Sequence, residues 1–116
     1  MPYISSSNGR REKLQLGDIA LTAGELNYQI FEYLKHSNVL QVYKETVVRM
    51  FVNNFLGEKP NYQKYNDMTG CLIRCKKELE RRLNINADFL IDVMESYDEE
   101  INLYEDKKII ENGDVE

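Results

Sequence analysis

Tyr65, Met68, Leu72, Cys75, Leu79 and Leu83 recur at intervals of three and four residues in a stretch without proline. No other feature constrains the chain as much. The spacing places these side chains on one side of a helix from about Tyr62 to Leu83, close to the repeat of a coiled-coil seam. An apolar stripe of that length has to be covered by another element, so the expected construction is helix packed on helix. Glu58-Lys59-Pro60-Asn61 ahead of it reads as a breaker followed by a cap. The opposite side carries Arg74, Lys76, Lys77, Arg81 and Arg82, with Glu78 and Glu80 interspersed, and cations near a helix C-terminus suit its dipole. Gly70 in mid-helix costs roughly 1 kcal/mol relative to Ala, so a neighbouring helix is expected to approach closely there.

The rest of the chain offers partners for this helix. Thr22-Ala23-Gly24-Glu25 has the spacing of a capping box, in which Thr22 caps the N–H of Glu25 and the Glu25 carboxylate reaches back to the N–H of Thr22. Leu26, Ile30, Phe31, Tyr33 and Leu34 follow as the apolar face of a helix over about Gly24 to His36. Ser37-Asn38 offers a new cap, and Val39, Leu40, Tyr43, Val47, Met50, Phe51 and Phe55 keep a helical period through Leu56, with Gly57 closing it. This segment is nearly apolar on two faces, and is expected either to be the central core helix or to bury one face in a partner. Asn84-Ile85-Asn86 ends the long helix, and Ala87 to about Tyr104 reads as a fourth, with Phe89, Val93, Tyr97, Ile101 and Tyr104 along one face.

Residues 1–20 read as an N-terminal arm with an extended start at Pro2 to Ser5, and residues 105–116 as a C-terminal tail with a turn or hairpin at Asn112-Gly113. Pairing of Ile109 and Ile110 with Pro2 to Ser5 is open. The whole is expected to be one mainly α domain, a three- to four-helix bundle. A length of 116 residues suits one core, and 42% apolar with 30% charged residues excludes a disordered or collagen-like chain.

No apolar run approaches the ~18 residues that cross a bilayer, and the opening residues lack the basic-then-apolar pattern of a signal peptide. A cytoplasmic protein without membrane contact is expected. The formal charge of -5 argues against general affinity for nucleic acid. Cys71 and Cys75 lie four residues apart on one helical face, where a disulfide would strain the backbone. With His36 the only histidine and no second ligand pair at metal spacing, the cysteines read as small buried apolar residues. No cofactor or metal site is expected.

The opening Met1-Pro2-Tyr3-Ile4, the ending Tyr104-Glu105-Asp106-Lys107-Lys108-Ile109 with Glu111-Asn112-Gly113-Asp114-Val115, Gly24-Glu25-Leu26-Asn27-Tyr28, and Gly70 with Lys76, Glu78, Arg81 and Arg82 together resemble a family of small phage and prokaryotic proteins without an assigned activity. Against that pattern the stretch from Ala87 to Asn102 reads as an insertion, and Ile73 stands where an acidic residue is usual. The resemblance implies a phage-associated setting and supplies no functional residue.

Three functional readings follow. The first is a non-enzymatic accessory protein that binds itself or a host protein, because no Ser or Cys has a visible base and orienter and the second helix carries excess apolar surface. The second is a nucleotide-sequestering protein in which Arg74, Lys77 and Arg81, at i, i+3 and i+7, meet phosphate beside Tyr28 and Tyr65. Against it, the cations pair with Glu78 and Glu80 as a solvated face, and the tyrosines sit at core boundaries. The third is a Mg-dependent nucleotide phosphohydrolase using Glu95, Asp98, Glu99 and Glu100, for which a facing Glu-x-x-Glu is missing.

Overall fold

A computed structural model describes residues 9–103. The extended start, the Asn112-Gly113 turn and their pairing lie outside the described residues. The principal helices among these residues are α1 (Arg10–Gln15), α2 (Ala23–His36), α3 (Gln41–Leu56), α4 (Tyr62–Leu83) and α5 (Phe89–Glu95). The protein is a mainly α bundle, with no strand among the described residues.

Local chemistry sets most of the boundaries. Thr22 Oγ1 accepts from the Glu25 N–H at 3.1 Å, and Asn61 Oδ1 accepts from the Lys64 N–H at 2.8 Å. Each fills one of the donor positions that a helix start leaves without an intrahelical acceptor. The reciprocal half of the expected capping box differs. The Glu25 carboxylate accepts from the Leu21 N–H and from Arg10, not from Thr22. Gly57, at φ 78°, ends α3. Asn84, at φ 54°, ends α4 in the left-handed region that asparagine tolerates better than most residues.

α4 is the central helix, in place of the expected α3. Tyr65, Met68, Cys71, Leu72, Cys75 and Leu79 are all buried, and α2, α3 and α5 pack around it. α2 runs alongside α4 in the same direction. Ala23 and Gly24 share a groove with Gly70 and Cys71, and further along the Arg82 guanidinium lies over the Phe31 ring at 5.4 Å. α5 runs back the other way, since Lys76 pairs with Asp88 at its start while Met94 at its end faces Tyr62 and Tyr65. α3 contributes Val48, Phe51, Val52, Phe55 and Leu56, with Phe51 edge-on to Tyr33. The apolar length of α3 misleads about its place because only its second half is buried.

Three further expectations change. Part of the presumed arm is helical: α1 packs on α2 with Leu14 fully buried. Six residues form no stable helix in isolation, so no clear period marks α1 in the sequence, and distant groups hold it. Gln29, almost fully buried, donates both hydrogens of its amide, to Leu14 O and to Asp18 O, each at 2.8 Å. The expected fourth helix is interrupted. α5 stops at Glu95, a turn occupies Ser96 and Tyr97, and residues 98–103 are helical again. Ser96 Oγ donates to Val93 O at 2.6 Å, the local competition with the helical ladder that serine offers. Finally, α3 begins at Gln41 and not Val39, with an extended Leu40 as its cap residue and no side-chain cap.

Candidate functional site

Arg74, Lys77 and Arg81 are all exposed on α4. Arg81 Nη2 donates to Glu78 Oε1 at 2.8 Å, the expected pairing. Glu80 is taken by Lys76, whose ammonium lies 3.0 Å from it and 3.3 Å from Asp88. Among the described residues neither Arg74 nor Lys77 has an ion-pair partner. The two tyrosines sit elsewhere. Tyr28 faces α1, where its hydroxyl accepts from Gln15 Nε2 at 2.6 Å and the Arg11 guanidinium lies over its ring. Tyr65 is buried on the α5 side, in a shallow groove with Tyr62, Asn66, Thr69, Met94, Asp98 and Ile101. Cations and tyrosines therefore do not line one pocket.

Glu95, Asp98, Glu99 and Glu100 are exposed, and among the described residues no three His, Cys, Asp or Glu side chains converge in a metal-holding group. The carboxylate set needed for Mg-assisted phosphoryl chemistry is not assembled there. Cys71 and Cys75 are buried free thiols. Burial pushes both thiols up, Cys75 to about 12, and the negative charges of Asp67 near Cys71 and Glu78 near Cys75 add to it. A thiol so far from ionisation is a poor nucleophile.

Two other surfaces stand out. The first is the leading half of α3 with the link before it. Leu40 is 70% exposed, Tyr43 60% and Met50 51%, with Val39 and Val42 beside them, and no residue of α3 before Val48 is buried. Leu40, Tyr43, Val47 and Met50 follow one another at intervals of three, four and three, the spacing of a helix-pairing seam. Val47 alone among them packs against the core edge. The sequence signal for this surface was the apolar character of the segment on two faces.

The second is a groove of about 420 Å³ between the start of α2 and the middle of α4, lined by Ala23, Gly24, Asn27, Asn66, Asp67, Gly70, Cys71 and Arg74. Of the residues expected to bind a ligand, only Arg74 reaches it. Gly70 is exposed at its edge, and a Cβ built there meets nothing within 4 Å. Among the described residues no helix therefore makes the expected close approach at Gly70. Asn27 and Asp67 carry no motif that would single them out, because their proximity comes from the α2–α4 pairing and not from spacing along the chain. No helix among the described residues is long and apolar enough to cross a membrane. No family model, no curated protein and no solved structure matches the chain.

Proposed function

We propose that the protein acts by binding and not by catalysis, and that the leading half of α3 is the surface it uses, paired with a second copy of itself. The observation that carries this reading is the unburied run Leu40, Tyr43, Val47 and Met50, with Val39 and Val42 alongside. Covering apolar area contributes about 25 cal/mol per Å², and a contiguous apolar patch of large side chains on a small protein marks an association site.

A second copy suits the surface because the seam is self-complementary. In an antiparallel pair related by a two-fold axis at Glu45, Leu40 of one copy meets Met50 of the other and Tyr43 meets Val47. Lys44 then falls beside Thr46, and the two Glu45 carboxylates that the axis brings to one level are each already bound to Arg49 of their own helix at 2.8 Å. The resemblance of the chain ends to small phage proteins agrees with an accessory role, in which a helix of a host protein would compete for the same face.

Sedimentation equilibrium across the micromolar range tests the reading. A dimer is expected for the parent chain, and a monomer with an unchanged far-ultraviolet spectrum for Tyr43→Glu and Leu40→Asp. A parent chain that stays monomeric throughout would overturn it.

A further inference from the structure

We propose that the cavity where α1, α2 and α3 meet binds a primary alkylamine, with the ammonium taken by acceptors on α2 and the hydrocarbon stem by apolar side chains of all three helices. The cavity has a volume of about 340 Å³, room for a small organic molecule. Gln29, Glu32 and His36 line it from one face of α2, at i, i+3 and i+7, and Leu14 of α1 and Phe51 of α3 help to close it.

The inference starts at the Gln29 side chain, which is almost fully buried. Its nitrogen donates to two backbone carbonyls, Leu14 O and Asp18 O, each at 2.8 Å. Only the NH₂ end of an amide can serve two carbonyl acceptors, so the bonding fixes which atom is the oxygen. Both hydrogens are then spent, and Oε1 accepts from no donor among the described residues. This oxygen is not sealed in, as the Asn27 oxygen is. What little of Gln29 stays accessible includes it, and the residue lines this cavity. A nearly buried acceptor without a donor is costly, and a donor entering the cavity would satisfy it.

The surroundings of Oε1 select that donor. Glu32, one turn on, supplies a partly buried carboxylate whose one ion-pair partner among the described residues is the His36 ring, Nε2 lying 3.4 Å from Oε1 of Glu32. No Lys or Arg is among the described residues that line the cavity, so an anion would meet Glu32 with little to offset it. An ammonium can donate to Glu32 and to Gln29 Oε1 together, and hydrogen bonds between charged groups are the strong ones. Leu14, fully buried, and the rings of Tyr33 and Phe51, edge-on at 5.8 Å, give a stem of a few carbons an apolar seat. A neutral alcohol of the same shape would keep the stem contacts and forfeit the charge.

Chemical-shift titration of the full, isotope-labelled chain at neutral pH tests this with butylammonium, 1-butanol and butyrate as probes. A saturable shift of the Gln29 side-chain NH₂ signals is expected with butylammonium, and tighter binding than with butanol or butyrate. Glu32→Gln should weaken butylammonium binding about tenfold, as loss of one charge-assisted contact does, in a chain that keeps the parent far-ultraviolet spectrum. Should that variant fail to fold, the comparison of the three probes on the parent chain decides by itself. Nα-acetyl-lysine methylamide carries the same ammonium on a peptide unit: binding as tight as that of butylammonium identifies a protein side chain as the source, and weaker binding a free amine. The proposal is overturned if butylammonium leaves the Gln29 signals unmoved, if butanol or butyrate binds as tightly, or if a folded Glu32→Gln binds as the parent does.

Discussion

Arg10 and Glu25 join α1 to α2 through two parallel hydrogen bonds, Nε donating to Oε2 at 2.8 Å and Nη2 to Oε1 at 2.5 Å. Arg10 also reaches Asp18 and the carbonyl of Ile19, so one guanidinium gathers the helix, the link that follows it and the first turn of the next helix. The pair is mostly shielded from solvent, with side-chain exposures of 20% and 15%, and screening removes less of its strength than at an open surface.

Arg10→Ala is accordingly expected to destabilise the fold by about 1–3 kcal/mol, the range for charge-assisted hydrogen bonds, as read from urea unfolding. Glu25 adds a pH signature. Hydrogen bonding from Arg10, and after it from the Leu21 N–H, holds its carboxyl below the ordinary 4.5. The contribution is complete above the ordinary value and is lost as pH falls through the lowered one. Melting temperature should therefore drop on acidification below about pH 4.5, and drop less steeply in Glu25→Gln. Equal acid slopes for parent and variant would remove Glu25 as the source.

Cys71 and Cys75 should resist thiol reagents in the folded protein under mildly alkaline conditions and react only on unfolding, so that labelling follows the unfolding equilibrium. The sign of the linked stability is opposite to that of Glu25. The Cys75 thiol rises from 9.0 when free to about 12 when folded, so its contribution is complete below the free value and disappears as pH climbs between the two. Mass spectrometry of partly labelled protein distinguishes this from an exposed thiol, which would be modified without denaturant.

Gly70→Ala should stabilise the protein by about 1 kcal/mol, since alanine recovers the helical propensity that glycine forfeits and the added carbon meets nothing within 4 Å. The shift in denaturant midpoint at unchanged slope is the measurement. A loss of stability would mean that another group occupies the space beside Gly70.

Where structure follows from near neighbours in the chain, it was legible in the sequence. The bounds of α4, the caps at Thr22 and Asn61, the stop at Gly57 and the buried stripe from Tyr65 to Leu79 all rest on contacts a few residues apart. α1 was not legible, because a six-residue helix depends on Glu25 and Gln29, more than ten residues away. The break at Ser96 was hidden for a related reason: apolar residues at helical spacing continue across it, through Tyr97 to Ile101, and only the Ser96 hydroxyl bond to Val93 reveals the turn. Of the groove, the sequence marked Arg74 as a binding residue and Gly70 as a place of close approach, without joining the two to α2. Its other members are unremarkable small or polar residues until α2 and α4 are laid side by side.

The seat of α1 depends on the Gln29 amide remaining an amide. Both carbonyl oxygens it serves are reached through one nitrogen, so hydrolysis of that amide to a carboxylate would replace two attractions with two repulsions in a site almost closed to water. The first helix would then be expelled and Leu14 uncovered by the exchange of a single atom, with no change anywhere in the backbone.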